Sequence, residues 1–121
     1  MNMKKEFIPY KEAIALKKLG FNEKCLGRYD PLDNELVIVR NRINLNINSR
    51  SIWEEGCTAP LYQQAFEWFR NKHFTVGYVI PFNGKWSYNV ISNKIELQES
   101  NFKTYREAET ACLKKLIKIN K

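Results

Sequence analysis

Apolar positions along the chain fall into three helical stripes and two strand-like patterns. From Pro9 to Leu19, the residues Ala13, Leu16 and Leu19 recur on one side, with Lys11, Lys17 and Lys18 mostly outside it. That period predicts an amphipathic helix. Proline suits its first turn, where the missing N–H costs nothing. Gly20 supplies a left-handed residue to end the helix, and Phe21 falls where a Schellman motif returns an apolar contact onto Leu16. A second helix is expected to start near Thr58 as N-cap, with Pro60 in its first turn. Leu61, Tyr62, Ala65, Phe66, Trp68 and Phe69 give it a broad apolar face, so it should be heavily buried. The last helix carries a capping box, Thr104 with Glu107 three residues on, the glutamate reaching back to the N–H of the cap. Ala108, Ala111, Cys112, Leu116 and Ile119 line its inner face. Lys114, Lys115, Lys118 and Lys121 crowd its final turns, where cations complement the helix dipole.

Between the helices the period changes. Glu35 to Arg40 is rich in β-branched residues and reads as a buried strand. The turn signal Asp30-Pro31-Leu32-Asp33-Asn34 precedes it, so residues around Tyr29 can pair with it as a hairpin. Ile43 to Asn48 alternates apolar residues with asparagine and reads as a half-exposed strand. Phe74–Ile80 and Lys85–Ser92 form the clearest hairpin, closed by Asn83-Gly84, the preferred type I′ pair. Pro81 beside that turn indicates an edge position. Residues 93–101 read as a polar connection. The expected fold is α+β: three helices and a mostly antiparallel sheet of three to five strands, two-layered, in the order α-β-β-(β)-α-β-β-α. Residues 1–121 are expected to form a single domain.

Composition limits the function classes. The chain is 44% hydrophobic, 27% charged and 13% aromatic, enough to build a core without disulfides or metal. Cys25, Cys57 and Cys112 are odd in number and contain no C-x-x-C pair, which predicts free thiols in a reducing compartment, by default the cytoplasm. The basic start is interrupted by Glu6, Pro9 and Lys11, so no secretory leader is expected, and no apolar run is long enough for a membrane span. The net charge is +7. It favours polyanionic partners, or else reflects a lysine-rich soluble surface.

Three segments carry a resemblance. They are Phe7-Ile8-Pro9-Tyr10-Lys11-Glu12-Ala13 through Leu19-Gly20-Phe21, then Cys57-Thr58-Ala59-Pro60-Leu61-Tyr62-Gln63-Gln64-Ala65-Phe66-Glu67-Trp68-Phe69-Arg70, then Phe102-Lys103-Thr104-Tyr105-Arg106-Glu107-Ala108-Glu109 through Ile117. Together they resemble a family of small uncharacterised proteins of gut Bacteroidetes and their phages. The resemblance implies a cytoplasmic, phage-associated or mobile-element protein. It implies no activity and no site residues.

Few residues offer chemistry. His73 and three scattered cysteines do not make the four close ligands of a structural zinc site, so no metal and no cofactor are expected. Cys57 at a helix N-terminus would have a lowered pKa, the one hint of a nucleophile, set against a small residue packed under the cap. Gly56 and Gly77 are isolated and Gly84 serves its turn, so no phosphate loop exists. The chain therefore reads as non-enzymatic, with no catalytic residue assigned. The informative feature is the hairpin. Phe74, Val76, Tyr78, Ile80 and Phe82 mark one face, and Gly77, Val79, Pro81, Trp86, Tyr88 and Val90 the other, so neither face is polar. Trp86 and Tyr88, with Lys85 beside them, are candidates for a protein interface or for stacking nucleobases; the alternative places both rings in the core. Arg40, Arg42, Asn44 and Asn46 present guanidinium and amide groups at strand spacing, either to contact nucleic acid or to protect a sheet edge. The leading expectation is a protein-interaction module that binds an unknown protein or a second copy of itself. The alternatives are nucleic-acid binding and binding of a small anionic ligand such as a nucleotide.

Overall fold

A computed structural model of the chain describes residues 3–30, 32–38 and 57–121. The fold is α+β, with the expected order of elements, and its six described strands are shared between two antiparallel sheets of three. Contacts divide the chain into two compact units, Met1–Tyr62 and Gln63–Lys121.

The first unit is built on α1 (Tyr10–Lys18) and on β1 (Gly27–Tyr29), β2 (Leu36–Ile38) and β3 (Cys57–Ala59), in the order β2-β1-β3. Helix α1 ends as its sequence predicts. Gly20 has φ +104°, Phe21 N–H donates to the Leu16 carbonyl at 3.0 Å, and Gly20 N–H donates to Lys17 at 3.1 Å. These are the two bonds of a Schellman motif, and Leu16 and Phe21 are buried beside it. Tyr29 does pair with the following strand, opposite Leu36. The turn between them is held by the Asp30 side chain, which accepts from Leu32 N–H at 2.9 Å. The Tyr29 hydroxyl donates to the Ile8 carbonyl at 2.6 Å, tying the N-terminal segment to the sheet.

The second helix begins later than its sequence suggests. Cys57, Thr58 and Ala59 are strand β3, paired with Tyr29, Arg28 and Gly27, and α2 runs Tyr62–Lys72. Thr58 is buried in the sheet, so it is not a helix cap. Pro60 accounts for the difference: its ring drives the preceding residue into extended backbone.

The second unit holds nearly all of α2, then β4 (Val76–Phe82), β5 (Lys85–Ile91) and β6 (Glu96–Phe102) in the order β4-β5-β6, and α3 (Tyr105–Ile119). The hairpin register is the expected one: Phe82 opposite Lys85, Ile80 opposite Ser87, Tyr78 opposite Asn89. Asn83 and Gly84 have φ of 52° and 76°, as a type I′ turn requires. Strand β6 replaces the expected polar connection. A tight turn at Ser92, whose hydroxyl accepts from the N–H groups of Lys94 and Ile95 at 3.2 Å, folds it back onto β5. One extra β6 residue is inserted opposite Ser87, where Asn101 has φ 76°. This is a β-bulge.

Helix α3 lies across this sheet. Its cap differs in one bond from the expected box: Thr104 Oγ1 accepts from Glu107 N–H at 3.1 Å, but Glu107 Oε2 accepts from Lys103 N–H, one residue before the cap. Ala108, Cys112, Leu113, Leu116 and Ile117 are buried. The helix comes so close to β4 that a Cβ on Gly77 would stand 2.8 Å from Cys112 Sγ and 2.9 Å from Leu116 Cδ1. Gly77→Ala is therefore expected to destabilise the protein by about 1–3 kcal/mol through overpacking. Cys112→Ala in the same chain should recover part of that loss, because it removes the sulfur in the way. Urea unfolding of the two single variants and the double variant measures the coupling.

Candidate functional site

The position of α3 decides which side of the β4-β5-β6 sheet is available. The strand register puts Gly77, Val79, Trp86, Tyr88, Val90, Leu97, Glu99 and Phe102 on the face under α3. Tyr88 is 1% exposed. Its ring packs against Phe102 at 5.8 Å, and its hydroxyl lies near the Glu99 carboxylate, which pairs with Lys115 at 3.6 Å. Burial, reinforced by that carboxylate, holds its phenol above its ordinary pKa. Trp86 is half-buried, edge-on to Tyr105 at 5.3 Å. The pair proposed to stack bases or anchor a partner is thus the floor beneath a helix, and Tyr88 is not accessible. Lys85 is exposed at the hairpin tip, on the face opposite Trp86. Arg40, Arg42, Asn44 and Asn46 lie outside the described residues.

The other face has two halves. On the β6 side it is polar: Glu96 and Gln98 flank Asn89 and Ile91, and Ser87 and Ser100 join hydroxyls at 3.0 Å. On the β4 side it is apolar. Val76, Tyr78 and Phe82 are 36–45% exposed on that face, as is Ile91, which lies opposite Val76. Tyr78 is oriented by its cross-strand neighbour, since Asn89 Nδ2 donates to its hydroxyl at 2.8 Å. Phe74 precedes the strand with φ 51° and its ring 73% exposed. A bulky side chain in that conformation is strained, by about 1–3 kcal/mol. The hairpin therefore does not stand open on two apolar faces. One face is sealed by α3, and the other is made half polar by a strand the sequence reading missed. The missed signal was the Ser92-Asn93-Lys94 turn and the alternation of Ile95, Leu97 and Glu99 after it.

The thiols are placed for packing. All three cysteines are free and buried. Cys57 sits on β3 and not at a helix N-terminus, and burial pushes its pKa up to about 11, with Lys17 lowering it only in part. Burial pushes Cys112 up to about 12, reinforced by Glu109. The hint of an activated Cys57 is overturned, because a thiol with a raised pKa is mostly protonated at neutral pH. His73 packs against Trp68 at 4.8 Å and Phe69 at 5.6 Å. Among the described residues no group of three or more His, Cys, Asp or Glu is placed to hold a metal ion, and no helix is long and apolar enough to cross a membrane.

The raised values carry a pH prediction. Tyr29 is pushed up to about 12 by burial, next to Cys57, Tyr62 and Glu12. For each group the folded state holds its proton more tightly than the unfolded chain does. The stability from Cys57 and Cys112 is thus fully present below their unfolded pKa of 9.0 and is lost as pH rises towards about 11 and 12. Urea midpoints should fall steadily through this alkaline range. Native alkylation of Cys57 and Cys112 should still be accelerating about one unit above pH 9.0, where an ordinary thiol has nearly levelled off.

Compared with protein-family models, with curated proteins and with solved structures, the chain matches none of them.

Proposed function

We propose that this protein is an interaction module that binds another protein through the apolar stripe of β4, as an accessory protein of a phage or mobile element. The observation that carries this reading is the exposure of Val76, Tyr78, Phe82 and Ile91 on one face of a sheet whose opposite face is fully employed by α3. Contiguous exposed apolar side chains mark contact surfaces, and aromatic residues dominate their binding energy. Tyr78 is held by Asn89, so little rotamer freedom is lost on contact. The cytoplasmic, phage-associated setting comes from the sequence resemblance and from the free thiols.

The test is comparative affinity capture from host extract, with the native chain and a Tyr78→Ser, Phe82→Ser variant that keeps its circular dichroism and melting temperature. Loss of two such contacts should weaken a specific partner by about 10- to 100-fold. Equal retention by both chains would remove the stripe from the binding surface.

A second reading rests on charge. Residues 63–121 contain ten Lys and Arg against five Glu, so this unit carries +5 of the chain's +7. Lys114 and Lys118 are exposed at i and i+4 of α3, and Lys121 is exposed just past its C-cap. A row of that kind can follow a phosphate backbone. It predicts a mobility shift with DNA or RNA that fades as salt rises, by a log–log slope of about 0.9 per duplex phosphate contacted. Lys114→Glu with Lys118→Glu should abolish the shift. No shift at low salt excludes the reading.

A further inference from the structure

The two edges of the β4-β5-β6 sheet are built differently. Strand β6 carries Glu96, Gln98, Glu99 and Asn101 and is broken by a bulge. Charge and bulging are the usual ways to keep an edge from pairing with another chain. Strand β4 reads Val-Gly-Tyr-Val-Ile-Pro-Phe, with no charged residue and no bulge against β5. Among the described residues no strand pairs with its outer side.

Pro81 fixes which β4 groups face outward. It lies opposite Trp86 and has no N–H, so that pair cannot exchange two hydrogen bonds. It is a non-hydrogen-bonded pair, and such pairs alternate along an antiparallel ladder. Val79 and Gly77 share its phase. Their N–H and C=O groups therefore point away from β5, as does the Pro81 carbonyl. Proline removes an outward donor only near the hairpin tip, and the middle of the edge keeps its pairing groups.

We infer that this edge is a docking strand for β4 of a second copy of the chain, joined antiparallel about a two-fold axis. The inference rests on the reading of β4 as the contact strand and narrows the partner to the chain itself. Self-complementarity carries it. An axis at Val79 sets Val79 against Val79, Tyr78 against Ile80 and Val76 against Phe82, so every pair is apolar and no like charges meet. The two Val79 residues exchange both of their backbone bonds. Gly77 N–H then donates to the Pro81 carbonyl of the other copy, and because proline has no N–H to return the bond, the Gly77 carbonyl stays open to water. The result is a continuous six-stranded sheet. Both α3 helices lie on one face, and the two apolar stripes merge at the centre of the other.

The experiment is sedimentation velocity across a wide concentration range, with amide hydrogen exchange on the same samples. The expected result is a concentration-dependent dimer in which the Gly77 and Val79 amides become protected as it forms. Val79→Pro deletes an outward N–H and leaves the bonds to β5 intact. It should weaken the dimer by about 10- to 100-fold, since one bond is lost from each copy. A monomer at every concentration overturns the inference. So does a dimer in which Gly77 and Val79 exchange no more slowly than in dilute solution. If Val79→Pro does not fold, the exchange pattern of the native chain decides. A monomer that still loses its captured partner on Tyr78→Ser, Phe82→Ser would leave the stripe as a binding surface and remove only the second copy.

Discussion

The contact between α3 and Gly77 is the constraint on which the second unit turns. With no side chain at that position, Cys112 and Leu116 settle almost onto the β4 backbone, and the helix covers β4 and β5 together. That choice of face is binary. Side chains alternate along a strand, so the residues in phase with Gly77 face α3 and those out of phase with it face the other side. Tyr88 and Val90 are sealed in as a result, and Tyr78 and Phe82 are left partly in solvent. A single glycine thus sorts two sets of aromatic side chains that look alike in the sequence.

Strand β6 gives the sheet its asymmetry. It pairs with β5 along most of its length, yet it brings mainly polar side chains. On the inner face its Glu99 pairs with Lys115 and lies near Tyr88, so the buried phenol has a carboxylate close by beside α3. On the outer face its Ser100 pairs with Ser87, and Glu96 and Gln98 make that side hydrophilic. The apolar half of the outer face is thereby confined to β4 and its neighbour Ile91. Apolar exposure concentrated along one edge has a direction, which a uniformly apolar face would lack.

The legible parts of the sequence were those where one residue type has one physical use. Gly20 before Phe21, Asn83-Gly84 and Thr104 ahead of Glu107 each demand a specific backbone or cap, and each is found, with Glu107 reaching Lys103 in place of Thr104. Misreadings arose where two uses compete. Thr58 caps helices well, but β-branched residues also suit strands, and Pro60 tips the balance by excluding helical backbone from Ala59. Strand β6 has few β-favouring side chains, so pairing with β5 and not propensity makes it a strand. The candidate site was half legible. The hairpin register followed from its turn, but the face covered by α3 depended on a close approach that an isolated Gly77 does not announce. Cys57 was misassigned with Thr58, and once it lies in a strand the dipole argument for its reactivity disappears.

Nine consecutive residues, Phe74 to Phe82, carry no charge in a chain that is 27% charged. Burial explains part of this run. Gly77 and Val79 lie under α3, and Thr75 is buried at the end of α2, where its hydroxyl donates to the His73 carbonyl. Burial does not explain Phe74, Val76, Tyr78 and Phe82, which alternate with them and are exposed. Solvent-facing positions on a strand whose outer side no described strand pairs with are where charge is most useful against unwanted pairing, and β6 carries it on the opposite edge. Strand β4 also begins from a strained Phe74 whose ring gains no burial in return. Exposed apolar side chains, an uncharged edge and a strained aromatic thus coincide on one strand. Burial under α3 accounts for none of the three, and they are the observations on which the proposed contact along β4 rests.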